Sequence, residues 1–402
     1  MSHLNEDQKK INKAYGAGAL AMALCSLCLI AFLCFLPDLV SFAGEQADAY
    51  SAKEQQREKR LLAISSMNGL DFLKFMTEQE IEKNGIIRLS DLSSYLGGMD
   101  AAGADAGSDE KAGETVYNTI RMELPKYATI DDISVDTDLV NHYVTFTIAK
   151  ANNDYLVDYP MVGEAEEIKS LSFSNRPEGF IMQFGFDQAM ECAITPDGTG
   201  SFLYIDFYKP SEKYDHIVVI DPGHGEKMAG AVAGEYCEKD INLAVSMFLK
   251  ELMEERGDGS LGLYFTRTED VDVSLENRIG MANELDADMF ISIHCNSYSM
   301  QESVRGTQVL TDKSDTASRP GESMRLAGLL MTNTISAMDT KDMGIIDGSD
   351  KYVLRTANVP AALLEIGFMT NNTDLSKMID EEYQKKCAEG IYDAILQFLE
   401  AE

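Results

Sequence analysis

Positive charge is scarce in this chain: 34 Lys and Arg stand against 67 Asp and Glu, a net charge of −33. A surface of that sign repels phosphate backbones and excludes nucleic acid as an expected partner. It suits a soluble body outside the cell, although charge alone does not set a compartment. Cysteine is present but unpaired in pattern. Cys25, Cys28 and Cys34 share one apolar run, while Cys192, Cys237, Cys295 and Cys387 are scattered singly, which excludes a disulfide framework. Isolated cysteines in an exported chain point to a reducing or anaerobic habitat. With 45% hydrophobic and 25% charged residues the composition is that of a folded protein, so global disorder is excluded. At 402 residues the chain is too long for one compact core and implies two domains plus extras.

What is present first is an apolar run, "AYGAGALAMALCSLCLIAFLCFL", at residues 14–36. A helix needs about 20 apolar residues to cross a bilayer. Lys9, Lys10 and Lys13 precede the run, and Asp38, Glu45 and Asp48 follow it. The positive-inside bias then predicts a cytoplasmic tail over 1–13 and a single-pass anchor, with everything after Pro37 outside the cell. A cleaved signal peptide, cut after "SFA" or "ADA", is the alternative and would give a secreted protein. The run exceeds the usual signal-peptide core of about 7–15 residues, which favours the anchor.

Residues 37–96 read as a stalk that includes the charged helical stretch "SAKEQQREKRLLAISS", and 97–114, rich in Gly, Ala and Asp, as a flexible linker. Residues 115–210 hold short alternating runs such as "HYVTFTIA" and "SFLYIDFY" between turn signals, which predicts a small β-sandwich or barrel acting as a targeting or spacer module. His142 within it reads as a surface residue. From 216 to 402 the rhythm becomes strand, helix, strand. "HIVVI" precedes a helix over 239–255, "LGLYFTR" precedes one over 274–285 capped by Ser274, and "ADMFISIH", "GTQVLT" and "AALLEIGF" are further strands. The expected class is α/β: a layered catalytic domain with a buried, mostly parallel or mixed sheet flanked by helices.

Histidine is rare too, five in all, and one stands at the mouth of a strand in "VVIDPGHGE" on a loop stripped of side chains. In α/β sheets functional groups gather at the carboxyl ends of strands. Three strands here end in His224, His294 and Glu365, and Glu238 sits where the first long helix begins. Two imidazoles and a carboxylate form a common catalytic zinc set with a position open for water, and a second carboxylate can act as general base. Each residue alone also has an ordinary reading as surface or as helix-dipole partner. Glu365 is harder to dismiss, because an acid in the apolar strand "AALLEIGFM" needs a partner or a task.

The segment 216–402 resembles the catalytic domain of zinc-dependent N-acetylmuramoyl-L-alanine amidases. The resemblance lies in "IVVIDPGHG" with "EKDINL", in "TRTEDVDVSLENRIGMAN", in "FISIHCNS" and in "YVLRTANVPAALLEIGFMTN", in that order. It implies that His224, Glu238 and His294 ligate one Zn2+ and that Glu365 is the catalytic acid/base. The implied reaction is hydrolysis of the amide between the muramic-acid lactyl group and L-alanine in peptidoglycan. Asn296, Arg278 and Asn283 are candidate substrate contacts; for Arg278 and Asn283, spaced to sit on the helix after Ser274, packing is favoured over substrate contact, and Arg267 reads as structural. Glu226, Met228 and Ala229 depart from the family's loop, and Cys237 and Cys295 adjoin proposed ligands, with Cys295 expected to face away. Some relatives carry a helical insertion that plugs the site; "SMQESVRGTQVLTDKSDTASRPGES" offers no amphipathic helix for that. Two rivals are a domain that binds muropeptide without turnover and a zinc hydrolase of another stem-peptide bond. No protein activator can be read from the sequence.

Overall fold

A computed structural model of the chain describes residues 46, 49–63, 66–84, 119–125, 128–151, 155–159, 161–163, 166–257, 259–313 and 321–400. The expected tail 1–13, membrane-spanning run 14–36 and linker 97–114 lie outside the described residues. Among the described residues no helix is long and apolar enough to cross a membrane. The chain divides into two units, Met1–Met67 with Leu156–Asp158, and Asn68–Tyr155 with Tyr159–Glu402. In the first unit, helix α1 spans residues 49–63, and Arg57 Nε donates to Asp158 Oδ1 at 2.8 Å.

The second unit begins with helix α2 (Gly69–Asn84). After it come strands β1 (Thr119–Glu123), β2 (Ile133–Asp138), β3 (Tyr143–Ile148), β4 (Met161–Gly163), β5 (Ser170–Arg176), β6 (Gly179–Gly185), β7 (Glu191–Pro196) and β8 (Phe202–Tyr208); the short helix α3 (Tyr155–Asp158), between β3 and β4 in the chain, has Leu156–Asp158 in the first unit. The strands form two four-stranded antiparallel sheets, ordered β4-β1-β8-β7 and β2-β3-β6-β5. Alternation sets the inner faces: Val144, Phe146 and Ile148 of β3 and Leu203, Ile205 and Phe207 of β8 are buried. Phe184 and Phe207 meet across the two sheets with ring centroids 5.1 Å apart. Helix α2 falls inside the stretch read as stalk. Its Phe72, Leu73 and Met76 are buried, and Phe72 meets Phe173 of β5 edge to face at 5.9 Å. A helix with apolar residues at that spacing gains more from covering a sheet than from standing free in water.

The remaining elements are α4 (Pro210–Lys213), β9 (His216–Pro222), the hairpin β10 (Val232–Ala233) and β11 (Tyr236–Cys237), α5 (Glu238–Arg256), β12 (Leu261–Phe265), α6 (Leu275–Glu284), β13 (Met289–Asn296), β14 (Thr307–Thr311), α7 (Glu322–Met338), β15 (Asp342–Asp347), α8 (Tyr352–Arg355), β16 (Ala361–Phe368), α9 (Asn372–Met378) and α10 (Glu381–Leu399). Six strands make one mixed sheet in the order β12-β9-β13-β16-β14-β15. The first four are mutually parallel, β14 runs antiparallel to β16, and β15 parallel to β14. The sheet is covered on both faces, which is why its strands read as unbroken apolar runs. Val218 and Ile220 pack with α5, α7 and α10 on one face. Ile217 and Val219 pack with α6 and α8 on the other, where Leu139 and Ala189 of the smaller sheets' loops join the same cluster. Ser274 caps α6, its Oγ accepting from the Asn277 N–H at 3.2 Å. The carboxyl ends of β9, β13 and β16 lie side by side, and the chemistry gathers there.

Candidate metal centre

The end of β9 is anchored by a buried charge. Asp221, 1% exposed, accepts from Thr266 Oγ1 at 2.6 Å, Arg278 Nη1 at 2.7 Å and Ser292 Oγ at 2.7 Å. Burial pushes its carboxyl up, but Arg278 and the two hydroxyls outweigh that and hold it below its ordinary value. Arg278 also donates to the carbonyls of Pro222, His224 and Val273, and Arg267 to those of Pro222, Gly223, Lys239 and Glu269. Two guanidiniums thus hold the turn that carries His224, whose φ of 64° lies in the left-handed region. The turn needs glycine at Gly223, since a Cβ there would lie 2.2 Å from His294 Cε1. It needs glycine again at Gly230, where φ is 71° and a Cβ would lie 2.5 Å from Glu238 Oε2.

His224, Glu238 and His294 converge, with one ligand atom from each lying within 4.8 Å of the others. Glu238 Oε1 sits between the rings, 3.1 Å from His224 Nε2 and 2.8 Å from His294 Nδ1. The Cys295 N–H donates to the same oxygen at 3.1 Å, and the Ala231 N–H to Oε2 at 2.7 Å. The rings stand at 78° with centroids 4.9 Å apart. Burial pushes the Glu238 carboxyl up, yet the hydrogen bonds from His224 and His294 win and hold it well below the carboxylate range. For His294, burial lowers the imidazole while the bond to Glu238 raises it, and the net is a rise. Such a centre is built to hold positive charge. The donor set fits zinc: a tetrahedral ion with bonds near 2.0–2.2 Å places its ligand atoms about 3.3 Å apart.

Glu365 lies beside His294, the two being register partners between β16 and β13. Its Oε2 is buried and has no hydrogen-bond partner among the described residues. Burial pushes this carboxyl up to about 7, with His294 opposing and Glu238 assisting the rise. A carboxyl titrating near neutrality next to a metal set has the protonation state that acid/base work requires.

The other named residues are placed as follows. Arg278, 3% exposed, spends its donors on Asp221 and three carbonyls, and Asn283 bridges the Thr356 carbonyl at 3.0 Å and the Asn358 N–H at 2.8 Å. Both side chains hold backbone in this way. Asn296 is half-buried and donates to Gln308 Oε1 at 3.1 Å. The Cys295 thiol faces the core toward Asn242 Oδ1 at 3.4 Å, and burial pushes it well above its ordinary value. Cys237 precedes α5 as its N-cap residue. The altered loop is tied down: the Glu226 N–H donates to Asp270 Oδ1 at 2.7 Å, and Lys239 pairs with Asp270 and donates to the Glu226 carbonyl. Sequence reasoning missed Asp221 and Asn242. Asn242 is fully buried and donates to the Gly223 carbonyl at 3.2 Å. Asp221 carries the signal that singled out Glu365, an acid ending an apolar strand.

Residues 218–397 match the family model of N-acetylmuramoyl-L-alanine amidase. The uncharacterized protein YqiI of Bacillus subtilis is 38% identical over 178 residues, 44% of this chain and 82% of that protein. The N-acetylmuramoyl-L-alanine amidase LytC of the same organism is 30% identical over 181 residues, and the match spans only 35% of its length. Among solved structures, the catalytic domain of the amidase CwlV from Bacillus (Paenibacillus) polymyxa is 31% identical, with 46% of this chain and 99% of that one covered and a TM-score of 0.42. The CwlD amidase of Clostridioides difficile, solved in complex with the GerS lipoprotein, is 29% identical with 47% and 100% covered and a TM-score of 0.43. The chain belongs to the N-acetylmuramoyl-L-alanine amidase family of enzymes, and its α/β domain carries that membership.

Proposed function

We propose that the chain is a zinc-dependent peptidoglycan hydrolase that cleaves the amide between the lactyl group of N-acetylmuramic acid and L-alanine. The observation that carries this reading is the convergence of two imidazoles and one carboxylate beside a buried carboxyl oxygen with no hydrogen-bond partner among the described residues. His224, Glu238 and His294 would hold one zinc ion, which when bound supplies Lewis acidity toward the scissile carbonyl and toward water. Glu365 supplies the proton traffic. Its partnerless Oε2 takes a proton from the attacking water and returns it to the leaving nitrogen of L-alanine, a cycle suited to a group near pH 7. Asp221, Arg278 and Arg267 keep the His224 turn rigid, so the ligands need little reorganisation.

The apolar run 14–36, with lysines before and acids after, supports a single-pass anchor that places this domain outside the cell, where its substrate is. The segment 299–323 has no amphipathic pattern for a plugging helix, and its only described helical residues, Glu322 and Ser323, open α7, so self-plugging by an insertion is not part of the proposal. The test is zinc-loaded protein on isolated peptidoglycan, with labelling of new amino termini. The expected outcome is L-alanine amino termini, abolished by a chelator and absent with Glu365→Gln, which still binds zinc. New termini on another residue would reassign the bond, and zinc binding without any new terminus would return the muropeptide-binder reading.

A further inference from the structure

One polar side chain in the row at the carboxyl end of the sheet takes no part in the mechanism above. Gln308 on β14 lies directly opposite Glu365 on β16, and His294 is register partner to Glu365 from the other side. Directly opposed residues on antiparallel strands put their side chains on one face with Cβ atoms about 5 Å apart. Leu310, Leu363 and Phe290, at even steps from Gln308, Glu365 and His294, all belong to the core cluster with α6 and α8, which places the three polar residues on that same face. Gln308 is half-buried. Its Oε1 accepts from Asn296 Nδ2 at 3.1 Å, and Asn296 Oδ1 is itself held by the Ser297 N–H at 2.8 Å. The acceptor end of the Gln308 amide is therefore fixed, and its Nε2 has no hydrogen-bond partner among the described residues.

A half-buried, solvent-facing donor whose orientation is fixed by its own oxygen is available to a substrate oxygen. We infer that Gln308 Nε2 donates to an amide carbonyl of the substrate, and that Asn296 is a positioning residue that aims it. The carbonyl follows from the neighbour. Glu365 serves the leaving nitrogen, so the group beside it meets the leaving side of the bond, where the first acceptor is the carbonyl of L-alanine. This inference rests on the amidase reading and names a recognition contact within it.

The test uses the full chain, zinc-loaded, with soluble N-acetylmuramoyl-L-alanyl peptides. Gln308→Leu and Gln308→Met keep the side-chain volume and remove the donor; the second guards against misfolding of the first. KM should rise about two- to tenfold, the range of one neutral hydrogen bond, with kcat within about twofold of wild type and the pH profile unmoved. Asn296→Ala should raise KM less, and the double variant should be no worse than Gln308→Leu alone. On N-acetylmuramoyl-isopropylamide, which keeps the scissile amide and lacks the alanine carbonyl, the gap between wild type and variant should close, read as KM or as competitive inhibition. An unchanged KM in both single variants overturns the inference. So does a loss confined to kcat with a shifted acid limb, which would make Gln308 a partner of Glu365. A gap that persists on the isopropylamide overturns the choice of carbonyl. If wild type itself releases no L-alanine amino terminus, the amidase reading has failed and the Gln308 contact with it.

Discussion

Replacing Glu365 by Gln is expected to stabilise the metal-free fold above neutral pH while removing hydrolysis. Burial moves this carboxyl from an ordinary 4.5 up to about 7. Between those values the native state holds a proton that the unfolded chain has released, so stability falls as pH rises through the window. Below 4.5 both states are protonated and the effect is absent; above 7 the carboxylate is buried and charged, and the whole penalty applies. A shift of this size corresponds to about 3 kcal/mol at 1.36 kcal/mol per pKa unit, an upper limit because Gln must also be desolvated. Gln cannot ionise, so the variant should match wild type near pH 4 and exceed it by roughly 1–3 kcal/mol at pH 8. The assay is denaturant unfolding with chelator at fixed salt across that range, followed by far-UV circular dichroism because the chain has no tryptophan. A difference that does not change with pH, or a variant less stable at pH 8, would refute the reasoning.

Three further perturbations probe neighbouring parts of the site. Gly223→Ala puts a Cβ 2.2 Å from the His294 ring, so zinc content measured by metal analysis should fall well below one per chain, with about 1–3 kcal/mol of stability lost. Arg278→Met leaves the Asp221 carboxylate buried without its cation and should destabilise the domain by about 3–5 kcal/mol; an intact fold with a raised KM would instead restore Arg278 as a substrate contact. Gln308→Leu should act on KM and leave the melting temperature and the pH profile in place, which separates it from both.

Much of the α/β domain could be read along the chain because neighbours in sequence carry the signal. The β-branched run before Asp221, the helical spacing after Glu238 and the Ser274 cap are all local, and the structure has β9, α5 and α6 there. β15, α8, α9 and the β10–β11 hairpin were not read, being short and stabilised by what they pack against rather than by their own pattern. Helix α2 was legible as a helix but not as the cover of a sheet face. At the site, His224 stood out by its glycines and Glu365 by its apolar strand. The meaning of other polar residues depended on what they meet. Arg278 reaches Asp221 across 57 residues, and Glu238 reaches His294 across 56. By itself the sequence determined the class of the domain, its family and the four residues that could do chemistry, because period, glycine placement and motif order are properties of a line. Only the tertiary structure decided the antiparallel turn of β14, the pairing of Gln308 with Glu365, and which backbone groups Arg278 and Asn283 hold. Those depend on register and on which buried donor finds which acceptor, and both are settled when distant segments pack.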